Sequence, residues 1–123
     1  QILSRNNLLD RYQITLRLLG SAPFDEGAQP FQDAKLVVHL RNELVHYSPR
    51  WRTAGNERSF ERALQSKHLP ENPFTGARNP CFPAKALSCG HAQWAWQSVC
   101  DFADAFFNKI GIEPVHRQFL AEF

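Results

Sequence analysis

An arginine and a histidine five positions apart, Arg41 and His46, are the residues of this sequence best suited to chemistry on a phosphate. A guanidinium offers planar, paired donors that match phosphate oxygens. A histidine titrates near neutral pH and transfers protons as a general acid or base. The two together suffice for phosphodiester cleavage without a metal. Asn42 shares a helical face with His46, at a spacing of four.

The position of Arg41 leaves structural alternatives open. On an ideal helix with about 100° per residue, Arg41 falls inside an apolar arc between Val38 and Val45. A buried guanidinium without an anion is costly. Arg41 therefore binds a phosphate, pairs with a carboxylate of another helix, or extends its head to water. His46 taken alone is equally an ordinary residue of a helix C-terminus, where the dipole stabilises its charged form.

The spacing also separates the two side chains. Arg41 and His46 point roughly 140° apart on an ideal helix. They act together if the helix distorts near its end, where Ser48 and Pro49 stop it, or if two copies of the helix meet. A two-fold dimer would bring the copies together.

A basic and aromatic segment follows directly. Arg50, Trp51 and Arg52, with Arg58 and Arg62 nearby, form a candidate RNA-binding patch with a stacking platform. The alternative is a charged surface loop in which Trp51 is packed as an anchor.

Metal and cofactor sites are not expected. The residue types that could bind zinc are widely spaced and lack a Cys-x-x-Cys pair. They are Cys81, Cys89, His91 and Cys100. We interpret the cysteines as buried free thiols. His39, Glu43 and His46 are spaced so that they could bind a metal from one helix, but the sequence offers no further strong ligand for it. No phosphate-binding glycine loop, dinucleotide fingerprint or serine-nucleophile elbow occurs.

The composition predicts one cytoplasmic domain over residues 1–123. The chain is 43% apolar and 21% charged, with a net charge of +2, which excludes a strongly basic nucleic-acid arm. Three cysteines indicate a reducing compartment. No apolar run is long enough for a membrane span or a signal peptide. The sequence contains no Met, so we expect N-terminal residues to be missing.

Apolar periodicity predicts helices over 8–19, 31–47, 59–69 and 89–110, without alternation typical of strands. Gly20 and Gly111 are predicted to end the first and last helices, and Ser88 to cap the last one. The first helix would bury the stripe Leu8, Tyr12, Thr15 and Leu19, with Leu9 and Leu16 beside it. The last would bury Cys89, Ala92, Trp96, Val99, Ala103, Phe106 and Ile110. The fold class is all-α, a compact antiparallel helical bundle.

The segment Arg41-Asn42-Glu43-Leu44-Val45-His46 resembles the Arg-polar-x-x-x-His signature of the HEPN superfamily. The likeness extends over roughly residues 31–49 and 80–112, as in a bacterial branch of uncharacterised HEPN-like proteins. It implies a dimeric helical bundle and a metal-independent endoribonuclease of the kind found in toxin–antitoxin and phage-defence systems. The partners implied are a second copy, RNA or a nucleotide phosphate, and an antitoxin protein. Arg41 and its symmetry mate would bind the scissile phosphate, and His46 would move the proton, leaving a cyclic phosphate. Asn42 would orient His46 or contact the phosphate.

The resemblance also admits a second function. Some members of the superfamily lack catalysis and serve as nucleotide-binding or assembly modules. In such a module, Arg41 would hold a nucleotide phosphate or an ion pair, with no turnover. The two functions differ in whether Arg41 and His46 of both copies share one solvent-open cleft.

Overall fold

The computed structural model describes residues 8–46, 59–74 and 87–115. Its helices are α1 (Leu8–Leu18), α2 (Phe31–Val45), α3 (Ser59–Gln65) and α4 (Cys89–Ile110). No strand occurs in these ranges, which confirms the predicted all-α class. None of the described helices is both long enough and apolar enough to cross a membrane.

Helices α1 and α4 end at glycines, as predicted. Gly20 and Gly111 both have a φ of 73°, a left-handed conformation that costs glycine little. After α1, the Gly20 amide donates to Arg17 O at 3.1 Å and the Ser21 amide donates to Leu16 O at 2.9 Å. The same pair of bonds follows α4. Each helix therefore ends in a Schellman motif.

Ser88 caps the start of α4, which confirms another prediction. Its carbonyl accepts the Ala92 amide at 3.0 Å, and its Oγ accepts the His91 amide at 3.1 Å. Both bonds are those expected of an N-cap residue.

Helix α3 is shorter than predicted. It ends at Gln65, not near Leu69, because the amides of Lys67 and His68 bond carbonyls three residues back. His68 then takes a φ of 51°, which turns the chain away from the helix axis. An ion pair between Lys67 and Asp33 fixes this turn to α2.

The chain divides into two compact units, Gln1–Gln32 with Val99–Phe123, and Asp33–Ser98. Aromatic rings form the core of the first unit. Phe24 stacks on Phe102 with centroids 4.8 Å apart, and Phe31 lies 6.3 Å from the same ring. Tyr12 meets Phe102 and Phe106 edge-on, at 5.3 and 4.9 Å. Phe24 lies in the segment that connects α1 and α2, so this segment contributes to the core.

The buried face of α1 differs from the predicted stripe by one position. Leu9, Gln13 and Leu16 are buried. The Gln13 amide donates to Phe24 O at 2.9 Å, and its Oε1 accepts the Phe24 amide at 2.8 Å. A polar residue is stable in this core because both of its polar atoms are satisfied. Leu9 and Leu16, predicted beside the stripe, are buried, but the stripe itself is wrong at Leu8, Thr15 and Leu19, which are exposed.

The second unit packs around Leu40 of α2 and Leu64 of α3. Leu64 is 1% exposed, and both side chains are buried. Leu36, Leu69 and Trp94 are partly buried against them. Burial of apolar side chains on this scale stabilises the unit and holds α2, the helix that carries Arg41.

The predicted stripe of α4 is wrong in the first half of the helix. Phe106 is buried as predicted, but the first four stripe positions are exposed. They are Cys89, Ala92, Trp96 and Val99. His91 and Ser98 are buried instead. Ser98 Oγ donates to Trp94 O at 2.8 Å, and His91 also has local partners. Because these polar atoms bond within the protein, the buried face follows hydrogen bonding as well as hydrophobicity.

Candidate functional site

Arg41 and Asn42 form a pair on the last turns of α2. Arg41 Nη1 donates to Asn42 Oδ1 at 3.0 Å, and both side chains are exposed. The guanidinium is therefore oriented by a neutral acceptor. Among the residues that the structure describes, Arg41 makes no ion pair with a carboxylate.

The expectation that Arg41 lies inside a buried apolar arc is wrong. The arc is narrower than predicted, since Leu40 is buried but Leu44 and Val45 are exposed, Val45 by 58%. Leu40 and Leu44 are both apolar, so the sequence pattern does not distinguish the side that packs on α3. Arg41 consequently reaches solvent without a buried charge.

His46 is the residue directly after α2. Its amide donates to Asn42 O at 2.9 Å, which continues the helical bonding by one step, and its side chain is exposed. Helix α2 thus ends within two residues of the predicted boundary. In the described part of the chain, no hydrogen bond joins the Arg41 and His46 side chains. The roughly 140° between them on an ideal helix still separates them.

Glu43 lies beside His39. Its Oε1 is 3.8 Å from His39 Nε2, an i,i+4 pair on α2. No group of three or more His, Cys, Asp or Glu able to hold a metal occurs among the described residues. The structure thus assigns Glu43 a contact along the helix.

Arg50, Trp51 and Arg52 lie outside the described residues, as does Cys81, so the RNA-binding patch stays a prediction. Two of the thiols can be placed. Cys89 is exposed, which makes the interpretation as a buried thiol wrong there. Cys100 is half-buried, and burial raises its thiol pKa, with a further contribution from the neighbouring carboxylates of Asp104 and Asp101.

A cluster that the sequence analysis missed lies at the start of α4. Ser88 Oγ donates to Pro70 O at 2.6 Å and lies 2.7 Å from His91 Nδ1. His91 Nδ1 is also 3.2 Å from Pro70 O. The serine oxygen accepts the His91 amide as well, so its hydrogen-bonding capacity is occupied by structural contacts. The sequence does contain a signal for this cluster: His91 follows the N-cap residue Ser88 by three positions, a spacing at which the two side chains can meet.

Comparison with protein-family models, with curated proteins and with solved structures finds no match for this chain.

Proposed function

We propose that this chain is a HEPN-type, metal-independent endoribonuclease that acts as a homodimer. The observation that carries the proposal is the exposed Arg41–Asn42 pair in the last turns of α2, with the exposed His46 four residues after Asn42. An oriented guanidinium and a solvent-accessible imidazole are the two groups that phosphodiester cleavage requires. The resemblance of residues 41–46 to the HEPN signature supports the assignment to that superfamily.

The hydrogen bond of Asn42 favours one of its two predicted roles. Its Oδ1 accepts from Arg41, so its amide N–H groups remain as donors beside the guanidinium. A phosphate oxygen accepts from both kinds of donor. Asn42 would therefore hold Arg41 and contact the phosphate, and its side chain would not orient His46.

The homodimer is supported by the surface next to Arg41. Leu44 and Val45 follow Arg41 by three and four positions, lie on its side of α2 and are exposed. An apolar pair beside the arginine is suited to a two-fold contact between two copies of α2. Such a contact would place Arg41 of one copy near His46 of the other, which the spacing on one helix does not allow.

In the proposed reaction, the ribose 2′-oxygen attacks phosphorus and the bond from phosphorus to the 5′-oxygen breaks. His46 would take the proton of the 2′-hydroxyl or give a proton to the leaving oxygen. Arg41 would stabilise the charge on the phosphate oxygens as it develops. The products are a 2′,3′-cyclic phosphate and a 5′-hydroxyl.

The test is RNA cleavage in EDTA by the wild type, Arg41→Ala and His46→Ala. We expect cyclic-phosphate ends from the wild type, and a rate lower by about 10²–10⁴-fold in His46→Ala. His39→Ala is the matched control, because His39 is an exposed histidine on the same helix. It should cleave like the wild type. Equal cleavage by wild type and His46→Ala would contradict the proposal.

A second function is favoured by the fact that the Arg41–Asn42 pair is complete without His46. The chain would then be a HEPN-like module that holds a nucleotide phosphate without turnover. It predicts no cleavage of any RNA, together with nucleoside monophosphate binding that Arg41→Ala abolishes and His46→Ala retains. A role in toxin–antitoxin or phage-defence systems, with an antitoxin partner, belongs to the ribonuclease proposal.

A further inference from the structure

The described part of the chain has a cavity where α4 ends. Its volume is about 360 Å³, within the range of small-molecule sites. The residues that line it belong to the last turn of α4 and to the segment that follows, namely Phe107, Asn108, Gly111, Ile112, Glu113 and Pro114. The left-handed Gly111 turns the chain here, and the Ile112 amide donates to Phe107 O at 3.1 Å. The hydrogen bonds that end the helix therefore hold the wall of the cavity in place.

The end of α4 makes this cavity favourable for positive charge. The helix has 22 residues, and the C-terminal end of a helix dipole favours a cation. Lys109 is the basic residue of the last turn, but it is not among the residues that line the cavity. Its ammonium lies 5.0 Å from the centre of the Phe24 ring. The basic side chain of this turn therefore interacts with the aromatic core of the first unit.

Two side chains of the cavity add to this preference for a cation. Glu113 is exposed and contributes a carboxylate. Phe107 is half-buried, and its ring centre lies 5.6 Å from that of Phe106, so the ring is held by packing. An aromatic ring attracts a cation that lies within about 6 Å of its centre. Ile112 and Pro114 make the remaining wall apolar. One carboxylate beside apolar walls suits an organic cation better than a metal ion, which requires several oxygen ligands.

We propose that this cavity binds an organic cation: an alkylammonium group whose charge lies between the Glu113 carboxylate and the Phe107 ring. The helix end, the carboxylate and the ring each favour the positive charge, and the apolar wall accommodates the alkyl part. Each contribution is modest at a site open to solvent, so the dissociation constant should be roughly millimolar. The cavity belongs to the first unit and Arg41 to the second, so this inference does not depend on the proposed function.

The test compares tert-butylammonium with tert-butanol, an uncharged molecule of similar shape. Each is added at constant ionic strength, and binding is followed through the backbone amide signals of Gly111, Ile112 and Glu113 in two-dimensional NMR spectra. We expect the ammonium to shift these signals to saturation and the alcohol to bind about tenfold more weakly. Equal binding of the two compounds would overturn the proposal, because the cavity would then recognise only the alkyl group.

Three variants show whether the predicted side chains recognise the charge. Glu113→Gln and Phe107→Leu each remove one feature that favours a cation, and each should weaken binding of the ammonium by about two- to fivefold. Glu26→Gln is the matched control, because Glu26 is an exposed glutamate of the same unit that does not line the cavity. An unchanged dissociation constant in Glu113→Gln, or an equal loss in Glu26→Gln, would overturn the proposal. If Phe107→Leu does not fold, the two glutamate variants decide.

Discussion

Substitution of Gly90 by alanine tests the packing of Pro70 against the start of α4, because two effects of opposite sign compete there. Gly90 is the second residue of α4, and alanine is intrinsically preferred to glycine within a helix by up to about 1 kcal/mol. The new Cβ, however, would lie 2.7, 2.9 and 3.0 Å from three atoms of the Pro70 ring. A proline ring cannot rotate away as a flexible side chain does, so the Pro70 segment must shift.

The structure allows the net effect to be estimated. Overpacking at such a contact costs about 1–3 kcal/mol. The shift also weakens two hydrogen bonds, from Ser88 Oγ and from His91 Nδ1 to Pro70 O, each contributing about 0.5–1.5 kcal/mol. Subtracting the gain in helix preference leaves a loss of about 2 kcal/mol in the free energy of unfolding for Gly90→Ala.

The assay is urea unfolding of the wild type, Gly90→Ala, Pro70→Ala and the double variant. In the Pro70→Ala background the ring is absent, so Gly90→Ala should be neutral or stabilising by up to about 1 kcal/mol. Gly27→Ala is the control, since its Cβ would meet only Asp25 Oδ1 at 3.4 Å, and its stability should change by less than about 0.5 kcal/mol. A Gly90→Ala variant at least as stable as the wild type would refute the reasoning.

Three further outcomes are expected. Gln13→Leu leaves the amide and carbonyl of Phe24 without their partner and should lower the free energy of unfolding by about 2 kcal/mol, measured in urea; an unchanged value would contradict this. Because folding lowers the pKa of His91, its stabilising contribution is present above about pH 6.5 and is lost as the pH falls through the folded pKa. Acidification should therefore lower the urea midpoint less in His91→Gln than in the wild type, and equal losses would contradict this account. Cys89, which is exposed, should react with iodoacetamide faster than Cys100, which is half-buried and has a raised pKa; peptide mass spectrometry measures the order, and the reverse order would contradict the structure.

Helix positions could be predicted from this sequence because their ends carry local signals. Ser88 and Gly111 determine the ends of α4 through hydrogen bonds with residues within one turn. The end of α3 lacked such a signal. The apolar Leu69 suggested a longer helix, but it packs on the Leu40–Leu64 core from a loop.

The buried faces could not be predicted from hydrophobicity alone, because some of their residues are polar. Gln13 is buried through two hydrogen bonds to Phe24, a residue eleven positions away. His91 is buried through Pro70, twenty-one positions away. Partners at such distances leave no periodic pattern in the sequence. Trp96, by contrast, fits an apolar stripe and is 59% exposed.

In the candidate site, too, the features set by local sequence could be predicted and those set by packing could not. The sequence predicted Arg41, Asn42 and His46 at the end of one helix; the structure has Arg41 and Asn42 in the last turns of α2 and His46 directly after it. The exposure of Arg41 and its bond to Asn42 were not predictable, since they depend on which side of α2 packs against Leu64. Whether Arg41 and His46 act together depends on how two copies of the chain are arranged. The spacing of the two residues on one helix does not determine that arrangement.

Complementation between two inactive variants tests the proposed composite site most directly. Arg41→Ala and His46→Ala chains, co-expressed with different tags and purified as mixed dimers, are assayed for RNA cleavage in EDTA. A site that takes Arg41 from one copy and His46 from the other predicts two inactive parents and active mixed dimers, with about half of wild-type activity, because one of the two sites in each mixed dimer has both residues. An inactive mixture alongside an active wild type would contradict the shared site, and a wild type that cleaves no RNA would contradict the ribonuclease itself.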